Sequence, residues 1–243
     1  MKQGQIFTVL AIFFICTVMV IPAMAAIPAT HDPASDDYNA AVTLLSNGDY
    51  TGAIELFDRA LATNNTTSLK ITDALLYTYQ GKAFAQMQLG NYSDAIVTID
   101  AGLAEYPTDK MLWNNKGYAQ YNLGKYAEAV TSYDQALKSD VNYTKAWSNK
   151  GDAQVKLGKY SDAGTSYKAA LALNPDDPQI SGKLADAEKS AASAQQTMLV
   201  VLALVVVIVV AGVAYYILKN KQVDQKEEPG TTDKKAGTKK NKK

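Results

Sequence analysis

The chain has 243 residues, no net charge, one cysteine and one histidine. Cys16 lies in an N-terminal apolar segment and His31 in the linker that follows it, so the rest of the chain has neither a thiol nor an imidazole for catalysis or metal binding. Residues 3–218 carry 14 basic and 20 acidic side chains, and this net charge of −6 argues against binding to nucleic acid.

The N-terminal segment has the pattern of a secretory signal peptide. Lys2 provides a positive charge, residues 6–21 are apolar, and residues 23–25 read Ala-Met-Ala, a small-x-small cleavage sequence. The pattern predicts a signal peptide over residues 1–25 and a linker over residues 26–33, with an uncleaved membrane anchor as the alternative. Cleavage would leave a mature chain without cysteine, and therefore without disulfides or a cysteine metal site.

A sequence repeat with a fixed period follows the linker. Residues 113–117 read Trp-Asn-Asn-Lys-Gly and return as Trp-Ser-Asn-Lys-Gly at 147–151, and the Leu-Gly-Lys-Tyr of 123–126 returns at 157–160. Two further copies contain Gly48 and Gly90, and the step between them is longer because of a polar loop at 63–68. Within each copy, apolar residues three and four positions apart predict helices. The repeat therefore predicts stacked pairs of helices.

Three positions that recur in every copy predict how the helices pack. Small residues are expected where the two helices of a pair approach closely, at Ala53, Ala95, Ala129 and Ala163. Glycines with positive φ are expected in the turns, at Gly48, Gly90, Gly124 and Gly158. Aromatic rings are expected to wedge between helices, at Tyr50, Tyr92, Tyr126 and Tyr160.

These residues resemble the tetratricopeptide repeat (TPR) family. The family pattern of a bulky residue, glycines, tyrosine, alanines and a closing proline is matched at Trp147, Gly151, Gly158, Tyr160, Ala163, Tyr167, Ala170 and Pro175. Lys116 and Lys150 stand where the family usually has leucine. The resemblance implies an all-α fold, an α-solenoid of about four helix hairpins over residues 34–65, 76–109, 110–143 and 144–177. It also implies a protein- or peptide-binding role and no enzymatic activity.

The C-terminal part of the chain predicts a further helix, a membrane span and a tail. Residues 178–197 predict a capping or linker helix with Ile180, Leu184 and Ala187 on one side. Residues 198–218 carry no charge, and a helix of that length, about 31 Å, would cross a bilayer core of about 30 Å. Residues 219–243 contain nine lysines and four acidic residues, which predicts a disordered basic tail on the cytoplasmic side of a single-pass protein. Contact of the tail with anionic lipid or nucleic acid is the alternative to a role in topology.

The resemblance further implies a groove lined by the first helix of each hairpin. Its predicted residues are Tyr38, Gln80, Phe84, Met87, Asn114, Tyr118, Tyr121, Lys145, Ser148 and Asp152. Aromatic, methionine and amide side chains suit an extended peptide, and the alternative is a hydrated surface without specific binding. The carboxylate clamp of chaperone-binding members is not matched, because Gln80, Phe84 and Asn149 stand where it needs Lys, Asn and Arg.

No motif in the sequence predicts a cofactor or a metal site. Asn-x-Ser/Thr sequences, which would be glycosylation sites outside the cell, occur at Asn64, Asn65, Asn91 and Asn142. The sequence therefore predicts a scaffold that binds an extracytoplasmic protein or peptide and is held at the plasma membrane by a C-terminal single-pass anchor. The alternatives are a glycosylated structural component of the cell surface and a non-catalytic accessory subunit of an envelope complex.

Overall fold

The computed structural model describes residues 33–62 and 74–224, and these residues contain helices and no strand. The predicted signal peptide, His31, Asn64, Asn65 and the tail beyond Asp224 lie outside the described residues. The chain divides into two units, Met1–Ala191 and Ala192–Lys243. The repeats all lie in the first unit.

The described residues form nine helices, eight of which pair into hairpins. The hairpins consist of α1 (Pro33–Ser46) with α2 (Tyr50–Ala62), α3 (Ala74–Gln88) with α4 (Tyr92–Glu105), α5 (Lys110–Asn122) with α6 (Tyr126–Ser139), and α7 (Thr144–Lys156) with α8 (Tyr160–Leu173). The ninth helix, α9, spans Pro178–Asp224. Each hairpin contacts the next one along the chain, so the predicted all-α array of four hairpins is confirmed.

A glycine in the left-handed region closes the first helix of every hairpin. The φ values are 80° at Gly48, 79° at Gly90, 75° at Gly124 and 72° at Gly158, as the sequence predicts for residues without a Cβ. At the end of α5, Lys125 N–H donates to Gln120 O at 2.9 Å and Gly124 N–H donates to Tyr121 O at 3.0 Å. This pair of bonds is a Schellman motif, which satisfies carbonyl groups that the helix end would leave unpaired.

Small residues allow the two helices of a hairpin to come close together. The recurring alanines Ala53, Ala95, Ala129 and Ala163 are all fully buried. In the third hairpin, a Cβ added to Gly117 would lie 2.6 Å from Cε1 of Tyr133, and in the fourth a Cβ on Gly151 would lie 2.5 Å from Cε1 of Tyr167. The tyrosine rings therefore occupy the space that a side chain at these glycines would need.

A buried hydrogen bond also joins the two helices of the third and fourth hairpins. Oε1 of Gln120 accepts from the hydroxyl of Ser132 at 2.6 Å, and at the same position of the next repeat Oε1 of Gln154 accepts from Ser166 at 2.6 Å. The corresponding atom of the second hairpin, Oε1 of Gln86, is buried and has no hydrogen-bond partner among the described residues. The second hairpin thus lacks a polar contact that the third and fourth hairpins have.

Lysines on the first helices connect each hairpin to the one before it. Nζ of Lys116 lies 2.7 Å from Asp100 Oδ1 and 5.3 Å from the ring centroid of Trp113. Lys150 repeats this arrangement at 2.6 Å from Asp134 and 5.2 Å from the ring of Trp147, and Lys82 forms the equivalent ion pair with Asp58. The lysines that depart from the family pattern therefore hold neighbouring hairpins together.

Helix α9 begins as a cap on the fourth hairpin. Oδ1 of Asp177 accepts from the backbone N–H groups of Gln179 at 2.9 Å and Ile180 at 3.1 Å, which fixes the start of the helix. Ile180 and Ala187 are buried in a cluster that also contains Ala163, Tyr167 and Ala170. In the part of the chain that the structure describes, α9 is the one helix long and apolar enough to cross a membrane.

Candidate binding surface

The first helices of the hairpins form one row of the array. Helix α3 contacts both α1 and α5, and α5 contacts α7, in addition to the contacts within and between adjacent hairpins. Among the described residues, no two second helices contact each other to the same extent. The first helices therefore make up the inner row, where the hairpins lie closest together. This is the row on which the sequence places its groove residues.

Four of the predicted groove residues lie inside the array rather than on its surface. Tyr38 is fully buried with its ring centroid 6.3 Å from that of Phe57, and Met87 is buried in a cluster with two alanines. Buried Gln80 donates from Nε2 to Asp109 Oδ1 at 3.1 Å, and buried Asn114 accepts at Oδ1 from Asn149 at 3.0 Å. Gln80 on α3 is bonded to Asp109, the residue before α5, and Asn114 on α5 is bonded to Asn149 on α7. These amides therefore stabilise the contact between successive first helices and are not available to a partner.

The other six predicted residues have accessible side chains on α3, α5 and α7. Tyr118 and Lys145 are exposed, and the half-buried members are Phe84, Tyr121, Ser148 and Asp152. They are distributed over three consecutive first helices, so they lie along the inner row rather than in one cluster. Their role in binding a partner stays a prediction.

Two of these residues form a line of equivalent aromatic contacts between neighbouring hairpins. The ring of Phe84 meets that of Tyr50 edge to face with centroids 6.3 Å apart, and the ring of Tyr118, at the same position of the next repeat, meets Tyr92 at 6.4 Å. At the equivalent position of the fourth hairpin the residue is Asp152, which is not aromatic. The aromatic line therefore ends at the third hairpin, and a carboxylate replaces it in the fourth.

A small pocket lies where this line ends. It has a volume of about 50 Å³ and is lined by Tyr118, Tyr121, Tyr133, Asn149 and Asp152. The ring of Tyr121 is oriented by an edge-to-face contact with Tyr126 at a centroid distance of 5.3 Å. We call these five lining residues the Asp152 pocket. It combines three aromatic rings with one amide and one carboxylate.

The carboxylate of the Asp152 pocket is held by two donors from outside the lining set. Oη of Tyr167 on α8 donates to Oδ1 at 2.7 Å, and Nζ of Lys183 on α9 donates to Oδ2 at 2.7 Å. Burial first, and then the charge of Asp152, raises the pKa of Tyr121 and of Tyr133 above the usual value for tyrosine. The phenols of Tyr121 and Tyr133 therefore stay neutral at physiological pH.

Sequence reasoning did not find the whole pocket. It gave Tyr167 only as a match to the family pattern, considered Asn149 only as a mismatch to a clamp, and gave Tyr133 and Lys183 no role in binding. The useful signal was the register, because Phe84, Tyr118 and Asp152 occupy one position of successive repeats and only the last is not aromatic. A change of residue type at a repeated position marks the place where the repeat is specialised.

The two described glycosylation sequences lie in connecting segments. Asn91 is the residue before α4 and Asn142 lies between α6 and α7, and both side chains are exposed. The backbone N–H of Asn142 donates to Asp140 Oδ1 at 2.9 Å, which shapes the turn. Their use as modification sites stays a prediction.

Comparisons with known proteins identify both a family pattern and a fold. Models described as TPR repeat or tetratricopeptide repeat match residues 44–116, 117–158 and 144–177. No curated protein sequence matches the chain. A solved tetratricopeptide repeat protein from Parabacteroides merdae is similar with a TM-score of 0.59 and 16% identity, over 66% of this chain and 61% of that one.

Two further solved structures illustrate the range of similarity. MamA from Desulfovibrio magneticus RS-1 has a TM-score of 0.51 and 19% identity, over 60% of this chain and 78% of its own. The first TPR domain of human RPAP3 has 26% identity and a TM-score of 0.48, over 50% of this chain and 95% of its own. The Parabacteroides protein and MamA share the helical repeat fold with this chain, and identities this low carry no functional detail.

Proposed function

Because residues 44–177 of this chain belong to the tetratricopeptide repeat family, we propose that the protein is a non-catalytic scaffold whose first helices bind a protein or peptide partner. The observation that carries the proposal is the accessible row on α3, α5 and α7. Phe84, Tyr118 and Tyr121 offer rings, and Lys145 and Ser148 offer hydrogen-bond donors. Aromatic side chains among polar ones are typical of surfaces that bind protein partners.

The proposed scaffold is anchored in the plasma membrane by residues 198–218. The large apolar side chains from Met198 to Leu218 are 50–72% exposed, and water is a poor environment for so much continuous apolar surface. A helix over these residues, about 31 Å long, would place this surface in a hydrocarbon core of about 30 Å. The lysines that follow favour a cytoplasmic tail, and the N-terminal signal pattern favours an extracytoplasmic array.

Site-specific photo-crosslinking tests the binding surface. A photoreactive phenylalanine analogue is introduced at Tyr118 on α5 and, as the control, at Val97 on α4, which is 70% exposed. Irradiation of intact cells followed by mass spectrometry should give a defined protein adduct at position 118 and none at position 97. The same adducts at both positions, or none at either, would contradict a binding role for the inner row.

Cysteine labelling tests the orientation in the membrane. In a Cys16→Ser background, Thr131→Cys on α6 and Lys239→Cys in the tail each supply one thiol. A membrane-impermeant maleimide should label position 131 in intact cells and position 239 only after permeabilisation. The reverse pattern would place the array in the cytoplasm and remove the basis for an extracytoplasmic partner.

A glycosylated structural component of the surface is the second candidate, and the exposure of Asn91 and Asn142 favours it. Mass spectrometry of the purified chain should then find glycan on peptides that contain these residues, and Asn91→Gln should remove one of the modifications. A scaffold role and glycosylation are compatible. Unmodified asparagines at both positions would leave the binding scaffold as the remaining proposal.

A further inference from the structure

We propose that the Asp152 pocket binds the basic side chain of a lysine or arginine in the partner segment. This inference rests on the proposed scaffold function and names the chemistry that one site on the inner row recognises. It follows from the shape of the pocket, its aromatic walls, the contact that its carboxylate already makes with an ammonium group, and the charge of the array.

The shape follows from the register of the repeat. In the second and third hairpins, Phe84 and Tyr118 fill the equivalent position with rings that contact the tyrosine of the preceding hairpin. In the fourth hairpin the shorter Asp152 stands at this position, and it lines the pocket of about 50 Å³. A volume of this size admits the charged head of a basic side chain and leaves its aliphatic stem along the surface.

The walls suit a cation. Tyr118, Tyr121 and Tyr133 contribute aromatic rings, whose faces carry negative electrostatic potential, and Asp152 contributes a full negative charge. Tyr118 is 42% exposed, so the pocket is accessible from solvent on that side. A cation that enters therefore exchanges part of its hydration for aromatic faces and a carboxylate.

A lysine of the chain itself shows that the carboxylate accepts an ammonium group. Nζ of Lys183 lies 2.7 Å from Asp152 Oδ2, while Tyr167 donates to the other oxygen. The side chains of Lys183 and Asp152 are 41% and 28% exposed, and ion pairs as accessible as this are weak. Lys183 thus pairs with the carboxylate until a cation with additional contacts to the rings replaces it.

The charge of the array favours basic segments over acidic ones. The described residues of the first unit, 33–62 and 74–191, carry 13 basic and 18 acidic side chains, a net charge of −5. A net negative surface raises the local concentration of positively charged segments and their association rate. Acidic segments, in contrast, would meet repulsion at Asp152.

A peptide titration with the full-length chain in detergent micelles tests the proposal. The probe is acetyl-Gly-Gly-Arg-Gly-Gly-amide, the control peptide has norleucine in place of arginine, and binding is followed by NMR of ring-labelled tyrosine. Lys183→Met should bind the arginine peptide up to about fivefold more tightly than the parent, because only a weak competing ion pair is removed. Asp152→Asn should bind it about tenfold more weakly, the equivalent of one charged hydrogen bond. Asp162→Asn, in the exposed first turn of α8, should leave the affinity unchanged.

Three outcomes would overturn the proposal. They are equal affinity for the arginine and norleucine peptides, unchanged affinity in Asp152→Asn, or weaker binding in Lys183→Met. Circular dichroism checks that Asp152→Asn is folded, and if it is not, Tyr118→Leu replaces it and should also weaken binding severalfold through loss of one aromatic face.

Failure of the pocket and failure of the scaffold give different results. If position 118 crosslinks to a partner but the arginine peptide does not depend on Asp152, the scaffold stands and the cation pocket is refuted. If the peptide depends on Asp152 but no partner crosslinks at position 118, the preference of the pocket for a basic side chain stands, and its place in a partner-binding surface is refuted.

Discussion

Replacement of Gly117 by alanine measures how closely the helices of the third hairpin are packed. A Cβ at this position would lie 2.6, 2.8 and 2.9 Å from three carbons of the Tyr133 ring, well inside ordinary contact distance. The ring is 1% exposed and is buried with Ala129 and Ala153, so it can yield only towards the small Asp152 pocket that it lines. Overpacking of this kind costs about 1–3 kcal/mol, and the better helix propensity of alanine returns about 1 kcal/mol. We expect the upper part of the overpacking range, and therefore a net loss of about 1–2 kcal/mol.

Gly164→Ala is the matched control, because the glycine is buried in a helix but has room for a methyl group. Its added Cβ would meet Cδ1 of Leu184 at 3.8 Å and Cγ of Glu188 at 4.0 Å, which are ordinary contacts. This variant should gain about 0.5–1 kcal/mol from the reduced flexibility of the unfolded chain and from helix propensity.

Urea unfolding of the full chain in micelles, followed by circular dichroism, compares the two glycine variants. The expected difference between them is about 1.5–3 kcal/mol. Equal stability of the two variants, or a stabilised Gly117→Ala, would show that the contact with Tyr133 does not limit the approach of the helices, and the packing argument would be refuted.

Contacts between helices and the burial of one tyrosine give three further predictions. Lys116→Met should lower the free energy of unfolding by about 1 kcal/mol in urea, because it removes a partly exposed ion pair and a cation–π contact. Asp100→Asn keeps the cation–π contact and should lower it by less. Equal losses in the two variants would contradict a role for the Trp113 ring. Gln120→Leu should cost about 1–3 kcal/mol more than Gln86→Leu, since only the former leaves a buried serine hydroxyl unpaired, and equal losses in thermal unfolding would refute this. Burial raises the pKa of Tyr143 to about 12 from its ordinary value of 10.0, so the folded state holds this proton more strongly than the unfolded state. The contribution of this group to stability is complete below pH 10 and is lost as the pH rises towards 12. In urea titrations across this range, the free energy of unfolding should decline less steeply in Tyr143→Phe than in the parent chain. An identical decline would refute the assignment.

The fold could be predicted because its determinants are local and repeated. The fixed repeat period, the apolar spacing within each copy and the glycines before Tyr50, Tyr92, Tyr126 and Tyr160 each specify a helix, a turn or a close approach. The structure confirms the helices, the buried alanines and the positive φ at the turns. The signal peptide, the membrane orientation and the modification of Asn91 and Asn142 stay predictions.

The binding surface could be predicted only in part. Helical periodicity places Gln80 and Asn114 on the same row as Phe84 and Tyr118, but it does not show which of them are covered. Gln80 is buried and donates a hydrogen bond to Asp109, 29 residues later in the chain. Asn114 is buried and accepts a hydrogen bond from Asn149 of the next hairpin. A polar side chain becomes internal when a neighbouring repeat supplies its hydrogen bond, and spacing along one helix carries no information about that partner.

The sequence by itself determined the stacked helix hairpins and the apolar C-terminal helix, because helix propensity, turn geometry and hydrophobic periodicity act over a few residues and recur in every copy. The tertiary structure alone decided that Asp152 lies among tyrosines of the third hairpin and accepts a hydrogen bond from Lys183, 31 residues further along the chain. That arrangement depends on how three hairpin helices and the capping helix pack together. It therefore appears only once the distances between elements that are remote in sequence are known.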